Sequence, residues 1–128
     1  MKILMTLVAS LVASSAVALE FRCPVKISTK QSLAQPADGW SSSVDSDTPH
    51  WNDGLTVYNG PPSEKASLVP DGPEGAEFWV NDLKFGGLWM ECAYLRSAVK
   101  LQRKIPSNVK RCALKLGPNK SYYSLICE

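Results

Sequence analysis

The sequence has little that suggests catalysis. Its only histidine is His50, and no G-x-S-x-G segment accompanies the many serines. A hydrolase needs a nucleophile held beside a base, and a triad of His50, Asp53 and a serine has no motif to support it. A histidine in a polar loop is more often a solvated turn residue. We therefore predict a non-enzymatic protein, with a small enzyme that uses His50 and nearby carboxylates as the alternative.

Motifs for metals and cofactors are also missing. No two cysteines are close enough in sequence to suggest a zinc site. Asp45, Asp47 and Asp53 do not match a calcium-binding loop, because neither the glycine turn nor the closing glutamate follows them. No glycine-rich nucleotide-binding segment occurs. We therefore expect neither a metal ion nor a cofactor.

Long apolar runs are absent except at the N-terminus. Lys2 precedes the uncharged, apolar residues 3–12, and residues 16–18 (Ala-Val-Ala) fit the pattern of a signal-peptidase site. The run is shorter than the roughly 20 residues that span a bilayer, and no later run is long enough to do so. We predict a cleaved signal peptide at residues 1–18, one secreted domain at residues 19–128, and no membrane insertion after cleavage.

The chain has four cysteines, Cys23, Cys92, Cys112 and Cys127. An even number in an exported chain indicates two disulfides formed in an oxidising compartment. A mature domain of about 110 residues buries only a modest core, so each bridge matters, at about 2–4 kcal/mol.

The alternation of the last two predicted strands suggests how these cysteines pair. One antiparallel register aligns cysteines and apolar residues together, pairing Cys112 with Cys127, Leu114 with Leu125 and Leu116 with Tyr123. This register favours a Cys112–Cys127 bridge and leaves Cys23–Cys92 as the other. Three connectivities are possible in principle, and a bridge directly across adjacent strands is geometrically demanding.

Short runs of alternating apolar residues, separated by turn signals, predict an all-β fold. The architecture is a small antiparallel sandwich or barrel stabilised by two disulfides. The central run is residues 88–95, in which Leu88, Met90, Cys92 and Tyr94 share one apolar face. The other predicted strands are residues 20–28, at a sheet edge because Pro24 lacks a donor, and residues 55–58, 66–69, 77–83, 99–105, 110–116 and 122–127.

Two further expectations concern packing. Residues 77–83 are predicted to form a hairpin with residues 88–95. The polar stretch of residues 32–53 is too long for a structureless loop inside a compact domain. Trp40 and Trp51 are therefore predicted to pack onto the core, with one more short strand near Trp40.

The net charge of +2 is small but unevenly distributed along the chain. Residues 96–120 hold eight basic residues and no acid, whereas acids outnumber bases eleven to five in residues 20–91. Such asymmetry is typical of a chain that meets an acidic partner or an anionic surface. Export argues against nucleic acid as that partner.

Strand alternation places outward-facing basic residues on the two strands at residues 99–105 and 110–116. If these strands are neighbours, their basic side chains form one positive patch that would steer an acidic partner. The simpler interpretation, which we favour, is a solvated surface. The candidate binding residues are Lys100, Lys104, Arg111 and Lys115, together with Trp40 and Trp51 wherever their aromatic rings stay exposed.

Several short segments carry a family resemblance. They are Cys23-Pro24 after the signal peptide, residues 57–62 with their Gly-Pro-Pro turn, residues 66–70, the Trp-x-x-Cys-x-Tyr pattern of residues 89–94, Ile105-Pro106 and Arg111-Cys112. Together they resemble an uncharacterised family of small secreted Gram-negative bacterial proteins, some of which lie near type VI secretion loci. The resemblance implies a periplasmic protein and provides no catalytic residues to transfer.

The resemblance and the lack of catalytic motifs favour a non-catalytic binding module. An inhibitor or immunity protein for an envelope hydrolase or toxin is the expected type. Its partner would then be an envelope or secreted protein. A structural component of the envelope stays open as an alternative, beside the small enzyme.

Overall fold

The computed structural model describes residues 17–44, 49–72, 76–80 and 87–128. These residues contain eight strands: β1 (Leu19–Arg22), β2 (Lys26–Ser28), β3 (Pro49–Asn59), β4 (Glu77–Trp79), β5 (Leu88–Tyr94), β6 (Leu101–Lys104), β7 (Arg111–Leu116) and β8 (Tyr123–Cys127). Two short 3-10 helices, Pro62–Glu64 and Pro118–Lys120, complete the regular structure. Within this part of the chain, no helix is long and apolar enough to cross a membrane. The all-β prediction is confirmed, whereas the signal peptide stays a prediction, because residues 1–16 lie outside the described residues.

The strands form two antiparallel sheets of four strands each. The β8 sheet has the order β1-β8-β7-β4, and the β5 sheet has the order β2-β3-β5-β6. The chain passes from one sheet to the other at Cys23 and Pro24, so β1 and β2 each lie at a sheet edge, as predicted for residues 20–28. A proline suits this position because it has no N–H to donate to a strand ladder.

The segment between β1 and β2 is bonded to both sheets. The N–H of Cys23 donates to the carbonyl of Tyr123 (2.9 Å) in β8, and the N–H of Asn52 in β3 donates to the carbonyl of Val25 (2.8 Å). This crossing point therefore closes one side of the sandwich.

The core consists of side chains that point inward from both sheets. β5 contributes the apolar face predicted from its alternation, because Leu88, Met90, Cys92 and Tyr94 are all buried. Burying an apolar side chain of this size stabilises the fold by about 1.5–3 kcal/mol. The complete buried cluster is Phe21, Cys23, Val57, Phe78, Leu88, Met90, Cys92, Tyr94, Ile105, Val109, Cys112, Leu125 and Cys127.

Both predicted disulfides are present, Cys23–Cys92 and Cys112–Cys127. The second lies directly across β7 and β8, in the predicted register that also sets Leu114 opposite Leu125. The neighbouring pair, Arg111 and Glu128, exchanges two backbone hydrogen bonds of 2.9 and 3.2 Å. The two cysteines therefore occupy a non-hydrogen-bonded pair, where the Cα atoms of opposite residues come closest.

β3 is much longer than the predicted residues 55–58. Its first half carries polar residues, and its register with β5 shifts between Asn52 and Gly54. The Asn52 amide donates to the carbonyls of Gly54 (3.1 Å) and Ala93 (2.9 Å), and its Oδ1 accepts the N–H of Tyr123 (2.8 Å). A β-bulge and a buried polar residue break the apolar alternation, which is why the pattern revealed only the second half of this strand.

The pairing predicted for residues 77–83 and 88–95 is wrong. β4 pairs with β7 in the β8 sheet, while both sides of β5 are occupied by β3 and β6. Residues 81–86 lie outside the described residues. Residues 66–69 form no regular strand, since only Ser67 makes an isolated bridge, to Tyr58 of β3.

Trp40 and Trp51 do not pack onto the core, contrary to prediction. Trp40 is 82% exposed and Trp51 is 50% exposed. Trp40 follows a tight turn in which its N–H donates to the carbonyl of Ala37 (3.0 Å) and Gly39 has a positive φ. The predicted strand there is absent. Trp51 points outward because its neighbours on β3, His50 and Asn52, occupy the inward positions.

The two disulfides close loops of very different length, with sequence separations of 69 and 15 residues. Because loop-closure entropy grows with loop length, we expect Cys23→Ala/Cys92→Ala to lower the free energy of unfolding more than Cys112→Ala/Cys127→Ala, by about 1 kcal/mol. All four cysteines are buried, so the two variants are matched in burial. Urea unfolding of both measures the difference, and a larger loss in the Cys112/Cys127 variant would contradict this ranking.

Candidate functional site

His50 is a structural residue in this fold. Its side chain is buried between β2 and the end of β5. Nδ1 lies 2.8 Å from the carbonyl oxygen of Leu95, and Nε2 lies 2.9 Å from the hydroxyl of Thr29. A carbonyl only accepts, so Nδ1 carries a proton, and in the neutral ring Nε2 accepts from the Thr29 hydroxyl. Both ring nitrogens are therefore engaged in holding segments together, and His50 is not the solvated turn residue that its polar surroundings suggested.

The outer face of the β5 sheet carries an unusual group of side chains. The register sets Tyr58 opposite Trp89 and Thr56 opposite Glu91, and it sets Gln102 opposite Glu91 and Lys104 opposite Trp89. Opposite residues share a face. We call the part of this outer face that covers β5 and its neighbours on β3 and β6 the basic face. It consists of Tyr58, Trp89, Glu91, Lys100, Gln102 and Lys104.

Glu91 organises the basic face. Its side chain is only 8% exposed although it points away from the core. It accepts hydrogen bonds from the Tyr58 hydroxyl (3.2 Å) and from Nε2 of Gln102 (2.8 Å), and Nζ of Lys100 lies 3.3 Å from Oε1. Hydrogen bonds to an ionised group are the stronger kind. One carboxylate thus fixes the positions of three neighbouring polar side chains.

The Tyr58 hydroxyl stays protonated in this arrangement. Burial, followed by the negative charge of Glu91, raises the pKa of Tyr58 above its ordinary value of 10. The hydroxyl therefore remains a hydrogen-bond donor at neutral pH. The result is a fixed surface of an aromatic phenol, an amide and an ammonium group around one buried carboxylate.

The outer face of the β8 sheet differs, because its arginines are paired with acids. Arg111 forms ion pairs with Glu77 (3.7 Å) and Glu128. Arg22 pairs with Glu20 at 2.9 Å. The guanidinium of Arg111 also lies over the Trp79 ring, 5.7 Å from its centroid. These acids lie outside the basic stretch of sequence, on β1, on β4 and at the last residue.

The single positive patch that would follow if β6 and β7 were neighbours does not form. β6 and β7 belong to different sheets, so Lys100 and Lys104 lie on the basic face, whereas Arg111 and Lys115 belong to the β8 sheet. Lys100 and Arg111 also have acidic neighbours on adjacent strands, which the pattern of their own strands did not reveal. Trp51 lies on the outer face of the β5 sheet near β2, with Nζ of Lys26 5.8 Å from its ring centroid.

Comparison with known proteins identifies the family. The family model for the type VI secretion system Tli immunity protein matches residues 46–128. This chain belongs to that family. No curated protein and no solved structure matches the chain. The matched residues include β3 to β8, and therefore every residue of the basic face.

Family membership confirms the expected class of function. The protein is an immunity protein, and membership of this family implies that it binds a toxin or effector partner. It also confirms the resemblance to a family near type VI secretion loci. Among the described residues of this immunity protein, no group of three or more histidine, cysteine, aspartate or glutamate side chains is placed to hold a metal ion.

The engaged histidine gives a direct test of its role. We expect His50→Ala to lower the free energy of unfolding by about 1–3 kcal/mol, because the Leu95 carbonyl and the Thr29 hydroxyl lose their buried partner. Lys30→Ala is the matched control, because the Lys30 side chain is exposed in the loop after β2. It should alter the free energy of unfolding by less than about 0.5 kcal/mol. Urea unfolding measures both, and an unchanged stability in His50→Ala would refute the structural role.

Proposed function

We propose that this protein protects the cell that makes it by binding a type VI effector in the periplasm and blocking it without catalysis. The observation that carries the proposal is the match of residues 46–128 to the immunity family. An immunity protein of this kind acts in stoichiometric amounts, so its function depends on a stable surface rather than on reactive groups.

Two features support the periplasmic location. The charged start, apolar run and Ala-Val-Ala site predict export. Two buried disulfides suit an oxidising compartment, since thiols stay reduced in the cytosol. All four cysteines are in these bridges, and the protein has no further cysteine.

The engagement of His50 supports a non-catalytic mode of action. A general base must reach the proton that it removes, but both nitrogens of His50 already bond to Leu95 and Thr29. The same rigidity favours binding. A surface that is ordered before binding loses less entropy on association, and the disulfides and the Glu91 hydrogen bonds supply that order.

Competition between sibling cells tests the proposal. A derivative of the source strain that lacks this gene should be killed in co-culture by the parent strain, because the parent delivers the effector and the recipient lacks its inhibitor. Supplying the gene in the recipient should restore survival. Supplying residues 19–128 without the predicted signal peptide should fail, because the inhibitor would stay in the cytosol.

A parent strain with an inactive type VI secretion system is the control, and it should leave the deficient recipient unharmed. Survival of the deficient recipient beside the active parent would overturn the immunity function. Full protection by the version without residues 1–18 would overturn the periplasmic site of action while leaving immunity intact.

A further inference from the structure

We propose that the basic face is the surface by which this protein binds its effector, and that it docks onto an acidic surface of that protein. This inference rests on the proposed immunity function and specifies its partner contact. The basic face was defined above by Tyr58, Trp89, Glu91, Lys100, Gln102 and Lys104.

The charge of the two outer faces distinguishes them. In the β8 sheet, the arginines are paired with Glu20, Glu77 and Glu128. In the β5 sheet, residues 95–104 contain no acid, and their basic residues include Lys100 and Lys104 on the outer face, whereas Arg103 lies opposite Met90 on the core side. Glu91 is the one carboxylate within the basic face, and it is buried. Asp53, the one acid on β3, lies at the bulge, toward the opposite end of that strand from Tyr58.

Of the two lysines of the basic face, Lys100 is held in place rather than merely exposed. Lys100 is anchored by Glu91 at 3.3 Å while its side chain remains 51% exposed. The Lys104 side chain lies beside Gly87, just before β5. A Cβ atom placed on Gly87 would be 3.3 Å from the Cε atom of Lys104. Long basic side chains normally lose much rotamer freedom on binding. Fixing their stems before contact reduces that loss.

The basic face also has the chemistry of a binding hot spot. Tyrosine and tryptophan offer large contact area with few rotatable bonds, and both are enriched at interface centres. Tyr58 and Trp89 are opposite one another in the register and are only partly buried. They therefore form an aromatic centre with Lys100 and Lys104 beside it, an arrangement that suits an acidic protein surface.

Charged edge strands have another common purpose, which is to prevent sheets from associating edge to edge. That purpose needs only exposed charge. The buried Glu91, with its three ordered partners, adds an arrangement that edge protection does not require, because desolvating a carboxylate is unfavourable unless hydrogen bonds compensate it. The geometry thus favours specific recognition of opposite charge, which also raises association rates at low salt.

Charge reversal tests the proposal. The effector is identified genetically: deletion of its gene in the attacking strain spares the immunity-deficient recipient. The probe is that effector protein, purified in an inactivated form. We expect Lys100→Glu/Lys104→Glu to raise the Kd by at least about tenfold and to lose protection, because attractive charges become repulsive. Lys110→Glu/Lys115→Glu makes the same charge change beside and on β7, and it should bind and protect like wild type.

Salt provides a second measurement on the same proteins. Wild-type association should slow as ionic strength rises, because screening shortens the range of exposed charges. Thermal unfolding checks that each variant is folded. If the glutamate variant unfolds early, Lys100→Gln/Lys104→Gln replaces it; removing the attraction without adding repulsion should give a smaller rise in Kd.

The outcomes separate the two proposals. If wild type neither binds nor protects, the immunity function itself fails. If wild type binds and protects, and the folded Lys100/Lys104 variants do so equally well, the basic face is only a solvated surface. Equal loss in the Lys110/Lys115 control would also overturn the proposal, because general positive charge, and not this face, would then determine binding.

Discussion

The Cys23–Cys92 disulfide is the constraint on which the rest of the structure depends. It joins the point where the chain crosses between sheets to the centre of β5. The Tyr94 hydroxyl reinforces the same junction by donating to the carbonyl of Pro24 (2.9 Å). Without this connection, the short edge strands β1 and β2 would be attached to the sandwich mainly by backbone hydrogen bonds and by the packing of Phe21 and Ile27. A domain this small needs such a bridge because its core alone stabilises it only marginally.

Fixing β5 from the inside gives its outer face a stable base. Successive residues of a strand point to opposite sides, so Cys92 reaches the core while Glu91 supports Lys100 and Tyr58 on the surface. The β8 sheet is bridged internally as well, by Cys112–Cys127, but the arginines of its outer face are paired with acids. The two sheets thus share one construction and differ in surface charge, which is the physical basis for assigning recognition to only one of them.

The features that the sequence predicted are those set by neighbouring residues. Alternation in residues 88–95 and 110–127 was sufficient for the buried face of β5 and for the Cys112–Cys127 register, because strand parity is local.

Sheet membership is not local. Nothing in residues 96–120 indicates that β6 and β7 join different sheets, so the sequence did not show that Lys100 and Arg111 lie on different faces. Trp51 was expected to be buried and His50 to be solvated, and the structure shows the reverse. The polar His50 and Asn52 can be buried because they bond to distant residues, Leu95 and Ala93. The role of Glu91 was missed for the same reason, since its partners come from β3 and from β6 with the residue before it.

The central claim is that one outer face of this sandwich contacts the effector. Hydrogen–deuterium exchange of the immunity protein, alone and saturated with its effector, tests this claim most directly because it reads every strand in one experiment. The account predicts slower exchange in peptides that cover β5 and β6, with β7 unchanged. Slowing confined to β1 and β7, or to the loop that carries Trp40, would contradict it.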